Sequence, residues 1–283
     1  MEPLSKLDCS NLAGVLTDID DTLTTDAKLL PDAFDALWRL SQAGLAVIPI
    51  TGRSAGWAHM VLKTWPVAAV VAESGGLYLF RNVRENRIKI GLHAPPEQVR
   101  ADRLALQACG EQIMTKIPGL ACASDNPFRQ VDYALDYCEE VTRVSADDVA
   151  QAIAMFKSAG FSARASSVHI NAWRGQFDKG PMTQRLLDDH FSSPAGGHNP
   201  GEIKAGSKAV HKVEGNNRPE RWIFIGDAPN DASMFAMFPR SVGVANILSS
   251  IDQLPVKPAY MTKHKSGAGF VELAEHILKT KGA

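Results

Sequence analysis

The sequence is poor in cysteine and has no excess of charge of either sign. Its four cysteines are Cys9, Cys109, Cys122 and Cys138. They are scattered and form no C-x-x-C pair, which excludes a disulfide framework and a zinc knuckle and is typical of a reducing compartment. The 30 lysines and arginines nearly balance the 31 aspartates and glutamates. A surface for nucleic acid or anionic membrane needs a basic excess, so we expect neither partner.

Long apolar runs are also missing. No stretch approaches the roughly 18 consecutive apolar residues that a membrane helix needs. The first residues, MEPLSKLDCSNLAG, show no basic start followed by an apolar stretch. We therefore expect no membrane span, no signal peptide and a cytoplasmic location. The 283 residues are enough for a large domain with a smaller second one.

The first part of the chain alternates strand-like and helix-like segments. Short apolar runs at 13–18, 45–50 and 67–72 predict buried strands. Residues 31–44 have apolar side chains at helical spacing, with Pro31 near the start and Gly44 at the end, and 54–65 predict a second helix. Strand, helix, strand, helix, strand predicts a parallel sheet with crossover helices.

The pattern changes in the middle of the chain. A hairpin over 77–92 is followed by an amphipathic helix, a second helix with Ser145 as its N-cap, and strand-like segments, which together indicate antiparallel pairing. The α/β rhythm returns from about residue 176. We predict an α/β fold with a Rossmann-like, doubly wound parallel sheet core (1–82 and 176–283) and an inserted α+β domain (83–175). Residues 192–219, rich in Gly, Pro, Ser and Asn, predict a long loop.

Polar side chains follow several of the predicted strands. They are Asp18, Asp20 and Asp21 after the first strand, Thr51, Gly52 and Arg53 after the second, and Asp227, Asn230 and Asp231 after a later one, with Lys179 ahead of a helix. Each motif alone is compatible with a turn, a helix cap or a surface ion pair. The carboxyl ends of parallel strands meet at one edge of the sheet, so the carboxylates converge there. Oxygen ligands in that arrangement suit Mg²⁺, while a hydroxyl, an ammonium and backbone N–H groups suit a phosphate.

Four of these motifs carry a resemblance to a known family. DIDDTLT, ITGR, DKG and GDAPND, in this order, resemble the motifs of the haloacid dehalogenase-like (HAD) phosphatase superfamily. A domain inserted between the second and third motifs resembles subclass IIB, the Cof-like and sugar-phosphate phosphatases with a large α/β cap. The resemblance implies Mg²⁺-dependent hydrolysis of a small phosphorylated metabolite, a sugar phosphate or a phosphoglycerate-type ester, through an aspartyl-phosphate. A phosphomutase of the phosphomannomutase type shares the motifs and stays an alternative.

The resemblance implies a role for each core motif residue. Asp18 would be the nucleophile, and Asp20 the acid and base. Thr51 would bind the phosphoryl group through its hydroxyl, and Lys179 would stabilise its developing charge. Asp21 stands where many relatives carry glycine, so we expect it to be a turn or cap residue.

The same resemblance implies a metal site. Asp18, the backbone carbonyl of Asp20 and Asp227 would ligate Mg²⁺. Asp231 would hold a metal-bound water or orient Lys179.

The remaining substrate contacts are expected at the second motif, the fourth motif and the cap. Gly52 and Arg53 follow the second strand, and Arg53 is expected either to contact the substrate phosphate or to fix the loop. Asn230 is expected beside the phosphate or metal. In SSVHINAW, period two puts His169 and Asn171 on one face of a strand, and we expect this face to line the substrate pocket.

Other polar and aromatic residues carry weaker expectations. Arg129, Asp132 and Arg164 are further cap candidates. Trp57, Trp65 and Trp173 are expected in the core rather than in a sugar-stacking set. No transition-metal site is expected, because His59, His93, His190, His198 and His211 show no ligand spacing. Ser74 stands in Glu-Ser-Gly where relatives often have Asn, which puts any substrate contact of that Asn in doubt.

Overall fold

The computed structural model describes residues 1–82, 85–166, 168–192 and 216–282. The strands in these ranges are β1 (Glu2–Pro3), β2 (Gly14–Thr17), β3 (Ala46–Pro49), β4 (Ala69–Ala72), β5 (Leu77–Asn82), β6 (Arg87–Leu92), β7 (Ala121–Cys122), β8 (Tyr133–Asp136), β9 (Ser162–Ala165), β10 (His169–Trp173), β11 (Trp222–Gly226), β12 (Arg240–Gly243) and β13 (Tyr260–Met261). The α-helices are α1 (Pro31–Gln42), α2 (Ala55–Thr64), α3 (Pro96–Lys116), α4 (Ala146–Ser158), α5 (Lys179–Phe191), α6 (Ala232–Met237) and α7 (Ser266–Lys281). None of these helices is long and apolar enough to span a bilayer. Most of the predicted loop over 192–219 lies outside the described residues.

A parallel sheet forms the centre of the molecule. Six strands are hydrogen-bonded in the order β1-β13-β12-β11-β2-β3, all parallel. β4 lies beside β3, since the Ala68 N–H donates to the Val47 carbonyl and the Thr51 N–H to the Val71 carbonyl, both at 2.9 Å. The antiparallel hairpin β5-β6 extends the sheet from β4. The predicted Rossmann-like α/β core is confirmed.

Alternate residues of the buried strands face two different helical layers. Val15 and Val47 pack with side chains of α1, α2 and α7. Leu16 and Ile48 pack with side chains of α5 and α6 on the other face. A strand with both faces covered reads as a continuous apolar run, which is why these segments show no polar alternation. The sheet is therefore doubly wound.

The inserted α+β unit, called the cap below, has its own sheet and its own core. Strands β7-β8-β10-β9 form an antiparallel sheet with α3 and α4 packed on one face. Ile170 and Ala172 of β10 face these helices, while the intervening His169 and Asn171 face away from them. The predicted boundary after residue 82 falls at the end of β5, and the division into 1–82 with 176–283 and 83–175 stays a prediction.

Glu73, at the end of β4, joins the core to the cap. Its side chain is fully buried, and its Oε1 accepts hydrogen bonds from the Ala55 and Gln130 amides, each at 2.9 Å. Its Oε2 accepts from the Val131 and Asp132 amides at 2.6 and 3.0 Å. One carboxylate thus fixes the start of α2 and the segment that enters β8.

Replacing Glu73 by glutamine should destabilise the protein. The amide has one acceptor oxygen, so its –NH₂ group would face buried N–H donors that now bond to Oε2. We expect the free energy of unfolding to fall by about 2–4 kcal/mol, measured by urea denaturation. Glu111→Gln on the exposed surface of α3 is the matched control and should change it by less than about 0.5 kcal/mol. Equal stability of Glu73→Gln and the control would contradict this role for Glu73.

Candidate active site

The Lys179 side chain lies between two carboxylates at the carboxyl edge of the parallel sheet. Lys179 begins α5, and its Nζ lies 2.7 Å from Asp18 Oδ1 and 2.7 Å from Asp231 Oδ1. The ammonium is almost completely buried. Burial opposes its charge, yet the two carboxylates more than compensate and raise the pKa of Lys179. The ammonium therefore stays charged and holds the two acids together.

Asp227 adds a third carboxylate to this cluster. Asp18, Asp227 and Asp231 each offer an oxygen, and these oxygens lie within 4.8 Å of one another. Burial raises the pKa of Asp18 to about 8, and burial with repulsion from Asp18 and Asp231 raises the pKa of Asp227 well above its ordinary value. One ammonium does not neutralise three carboxylates. A hard divalent cation with oxygen ligands, such as Mg²⁺, fits this donor set.

Two polar side chains orient Asp227. The Thr22 hydroxyl donates to its Oδ1 at 3.3 Å, and the Asn246 amide donates to its Oδ2 at 3.0 Å. Asn246 also donates to the carbonyl of Asp21, whose φ of +56° places it in a tight turn, as expected for that residue. Neither Thr22 nor Asn246 was singled out from the sequence. Asn246 follows β12, another parallel strand of the same sheet, and that position is the signal that could have identified it.

Two glycines allow the close approach of these segments. A Cβ on Gly226 would lie 2.4 Å from Asp231 Oδ2, the oxygen that accepts the Asp227 N–H at 3.1 Å. Gly75 has a φ of +96°, and a Cβ there would lie 2.2 Å from the carbonyl oxygen of Asp178. The first glycine lets the GDAPND turn close, and the second lets the β4 turn touch the start of α5.

Asp20 is held by an arginine of the second motif. The Nε and Nη2 atoms of Arg53 donate to the Asp20 carboxylate at 2.9–3.2 Å. The Nη1 atom donates to Glu139 Oε1 of the cap at 3.0 Å, and Glu139 Oε2 lies 2.8 Å from His169 Nε2. Glu139 was not singled out from the sequence. It lies just after β8, which ends at Asp136.

The second-motif loop is fixed from both sides. The Thr51 hydroxyl is buried and accepts the Arg53 N–H at 3.0 Å, and a hydroxyl that accepts can still donate to a ligand. The Gly52 carbonyl accepts a hydrogen bond from Arg129 of the cap at 3.0 Å. The Arg129 guanidinium is otherwise bonded to Asp125 and Asp132, so this cap candidate acts as a structural cross-link in the structure.

A cleft of about 460 Å³, partly open to solvent, separates the acidic cluster from the cap. Its lining residues are Asp18, Asp20, Gly52, Arg53, Arg129, Ser166, Val168, His169, Asn171, Asp227, Ala228 and Asn230. Asn230 Oδ1 is buried and has no hydrogen-bond partner within the described ranges, so it is available to a bound molecule. The expected face of β10 lies along the cleft, with the Asn171 amide bonded to Asp132 at 3.0 Å. A smaller adjoining pocket, lined in part by Ser74, Arg164 and Trp173, shares Ser166, Asn171 and Asn230 with it.

One aromatic expectation is wrong. Trp57 is 41% exposed on α2, because it lies on the outer side of this helix, and the Arg53 guanidinium lies 5.2 Å from the centre of its ring. Trp173 is buried, and Trp65 is partly buried against the main core. His198 and His211 lie outside the described residues.

Comparisons with known proteins agree on the fold. No protein-family model matches the chain, and no curated protein matches its sequence. Solved structures do match it. A haloacid dehalogenase-like hydrolase from Bacteroides thetaiotaomicron is 14% identical with a TM-score of 0.61, over 94% of this chain and 99% of that one. The chain has the haloacid dehalogenase-like fold.

Two further matches with this fold are named phosphatases. The sucrose-phosphatase from Synechocystis, in complex with sucrose and phosphate, is 16% identical with a TM-score of 0.60, over 94% of this chain and 98% of that one. The C-terminal domain of trehalose-6-phosphate phosphatase from C. albicans is 18% identical with a TM-score of 0.58, over 96% of this chain and 93% of that one. The resemblance seen in the motifs is thus confirmed at the level of the HAD fold.

Magnesium should stabilise the folded protein through Asp227. Mg²⁺ at ten to a hundred times its Kd should raise the Tm by about 3–10 °C in a thermal-shift assay. Asp227→Asn should lose most of this shift, while its Tm without metal should not fall, because the substitution relieves repulsion among the carboxylates. Asp252→Asn, at an exposed position, is the matched control and should keep the full shift. A full Mg²⁺ shift in Asp227→Asn would place the metal elsewhere.

Proposed function

We propose that the protein is a Mg²⁺-dependent phosphatase that hydrolyses a phosphate monoester of a small, neutral, hydroxyl-rich metabolite, a sugar phosphate. The observation that carries this proposal is the buried Lys179 ammonium bonded to Asp18 and Asp231, beside a cleft that Asp18 and Asp227 line. The phosphatases among the structural neighbours support the same reaction class.

The proposed reaction begins at Asp18. Lys179 binds Asp18 Oδ1, which leaves the other oxygen free to attack phosphorus. The Asp18 O–P bond forms as the P–O ester bond breaks, and Asp20 gives a proton to the departing oxygen. Water then attacks phosphorus, Asp20 takes its proton, and Asp18 is released with free phosphate.

The other core residues bind and orient the phosphoryl group. Lys179, the Thr51 hydroxyl and the backbone at Gly52 would contact its oxygens, and Asn230 Oδ1 offers an unused acceptor at the cleft. Asp18, the Asp20 carbonyl and Asp227 would hold Mg²⁺, with Asp231 orienting Lys179. The bound metal supplies neutralisation of phosphate charge, which lets a carboxylate approach phosphorus.

The charges around the cleft favour a neutral leaving group. Every arginine and lysine that lines the two pockets within the described residues is already paired with carboxylates. The pairs are Arg53 with Asp20 and Glu139, Arg129 with Asp125 and Asp132, Arg164 with Asp178, and Lys179 with Asp18 and Asp231. A phosphoglycerate-type ester would bring a further carboxylate without a free cation to receive it. Sugar hydroxyls can instead bond to Ser166, His169 and Asn171 along the cap.

Loss of the Asp18 carboxylate should abolish turnover. Asp18→Asn is nearly isosteric and should keep the fold, yet phosphate release should fall by at least about 10³-fold because the amide is not a nucleophile. Asp26→Asn, at an exposed turn residue that also has a positive φ, is the matched control and should keep wild-type activity. Chelation of Mg²⁺ should silence both wild type and control. More than a few per cent of activity in Asp18→Asn would remove it from the nucleophile role.

A substrate panel should separate neutral from anionic leaving groups. Phosphate release is measured with hexose and disaccharide monophosphates, with 3-phosphoglycerate and with an aryl phosphate. We expect kcat/KM for the best sugar phosphate to exceed that for 3-phosphoglycerate by at least about tenfold, since an unpaired charge in the cap is costly. The reverse order would contradict the neutral leaving group. Isomerised sugar phosphate without free phosphate would instead identify the phosphomutase alternative.

A further inference from the structure

One guanidinium connects the proposed acid–base residue to the cap. Arg53 presents its Nε–Nη2 edge to Asp20 in the core and its Nη1 to Glu139 in the cap. The Arg53 side chain is only 10% exposed, whereas those of Asp20 and Glu139 are 27% and 28% exposed. The guanidinium group is planar and rigid. The position of the carboxylate bound at one end therefore affects the direction in which the N–H groups at the other end point.

Glu139 is itself held firmly by cap residues. Asp136, buried at the end of β8, accepts the N–H groups of Cys138 and Glu139 on Oδ1 and that of Glu140 on Oδ2, at 2.8–2.9 Å. This turn fixes the backbone of Glu139, and His169 bonds to its carboxylate at 2.8 Å. The bond from His169, together with Arg53, lowers the pKa of Glu139 to about 2 despite its partial burial. Glu139 is thus a fixed anion on the cap.

A fixed anion on the cap changes what Arg53 can do. With the cap in place, Arg53 is bonded at both ends, and the ring of Trp57 lies beside its guanidinium. Without Glu139, the Nη1 atom would lose its partner from the cap. The guanidinium could then rotate, and the Asp20 carboxylate bound to its Nε and Nη2 atoms would rotate with it. Proton transfer to a leaving oxygen requires the carboxyl group within hydrogen-bond reach and correctly oriented.

We propose that Glu139 is a positioning residue that acts through Arg53: it orients Asp20 for proton transfer to the leaving oxygen when the cap covers the cleft. This inference rests on the proposed phosphatase function. It also gives the cap a part in the chemistry besides contact with the leaving group.

The test compares leaving groups that differ in their need for a proton. kcat/KM reports steps up to formation of the phospho-enzyme, so it isolates the proton transfer to the leaving oxygen from the later attack of water. The p-nitrophenolate of p-nitrophenyl phosphate is a stable anion and leaves without a proton. The sugar oxygen of a hexose monophosphate must receive a proton as it leaves. Glu139→Gln should lower kcat/KM by about 10–100-fold for the best hexose monophosphate and by less than about threefold for p-nitrophenyl phosphate.

Two controls connect the effect to Arg53. Glu140→Gln changes the neighbouring exposed carboxylate, which bonds to Ser124, and should match wild type on both substrates. In an Arg53→Ala background, Glu139→Gln should cause little further loss on the hexose monophosphate, because the two residues act as one unit. Equal loss on both substrates, or an undiminished effect in the Arg53→Ala background, would overturn the role of Glu139. Wild-type protein inactive on both substrates with Mg²⁺ would instead overturn the proposed function itself.

Discussion

A buried ammonium, that of Lys179, lies between carboxylates supplied by two strands of one parallel sheet, and the arrangement of the site follows from it. Asp18 comes after β2 and Asp231 after β11, which are hydrogen-bonded neighbours. Three buried acids at this distance would repel one another and take up protons if nothing opposed them. Lys179 offsets only part of this repulsion, and the raised pKa values of Asp18 and Asp227 reflect the burial and the repulsion that remain. The parallel sheet provides the geometry, because its strands all end at the same edge.

The cap meets the core through hydrogen bonds at two loops and through a few apolar side chains. Most of its buried apolar side chains form a cluster of their own between α3, α4 and the cap sheet, whereas Val99 and Val131 pack with the core. Glu73 and Arg129 supply the junction, one from each side, and both are almost completely buried. Each unit therefore has a core of its own, and the junction between them combines buried charged groups with a small apolar contact.

The residues of the acidic cluster could be predicted from the sequence, whereas the contacts made by the cap could be predicted only in part. Asp18, Asp227 and Asp231 follow predicted parallel strands, and a parallel sheet brings such positions together whatever its loops contain. The roles assigned to them, and to Thr51, Asn230 and His169, remain predictions. Glu139 and Arg129 gain their contacts from the way an antiparallel domain packs on a distant loop, and no periodicity in their own segments encodes that packing.

Local sequence predicted the burial of Trp173 but not the exposure of Trp57. Trp57 lies in a helix whose other face is in the core, and its own helical position, rather than its hydrophobicity, leaves it exposed. The N-cap role of Ser145, by contrast, was predicted correctly from the sequence, because an N-cap depends only on the first turn of its own helix. The Ser145 hydroxyl accepts the Asp148 N–H at 3.1 Å.

Glu73 binds the cap through main-chain N–H groups of residues 130–132, and every residue type except proline supplies such a group. These hydrogen bonds therefore do not depend on the identity of the cap side chains. The rest of the junction does, because the Arg129 guanidinium donates to the Gly52 carbonyl and the Val131 side chain packs with the core. A transplanted cap would need a non-proline segment of matching backbone shape opposite this glutamate, together with an arginine and an apolar side chain at these two places.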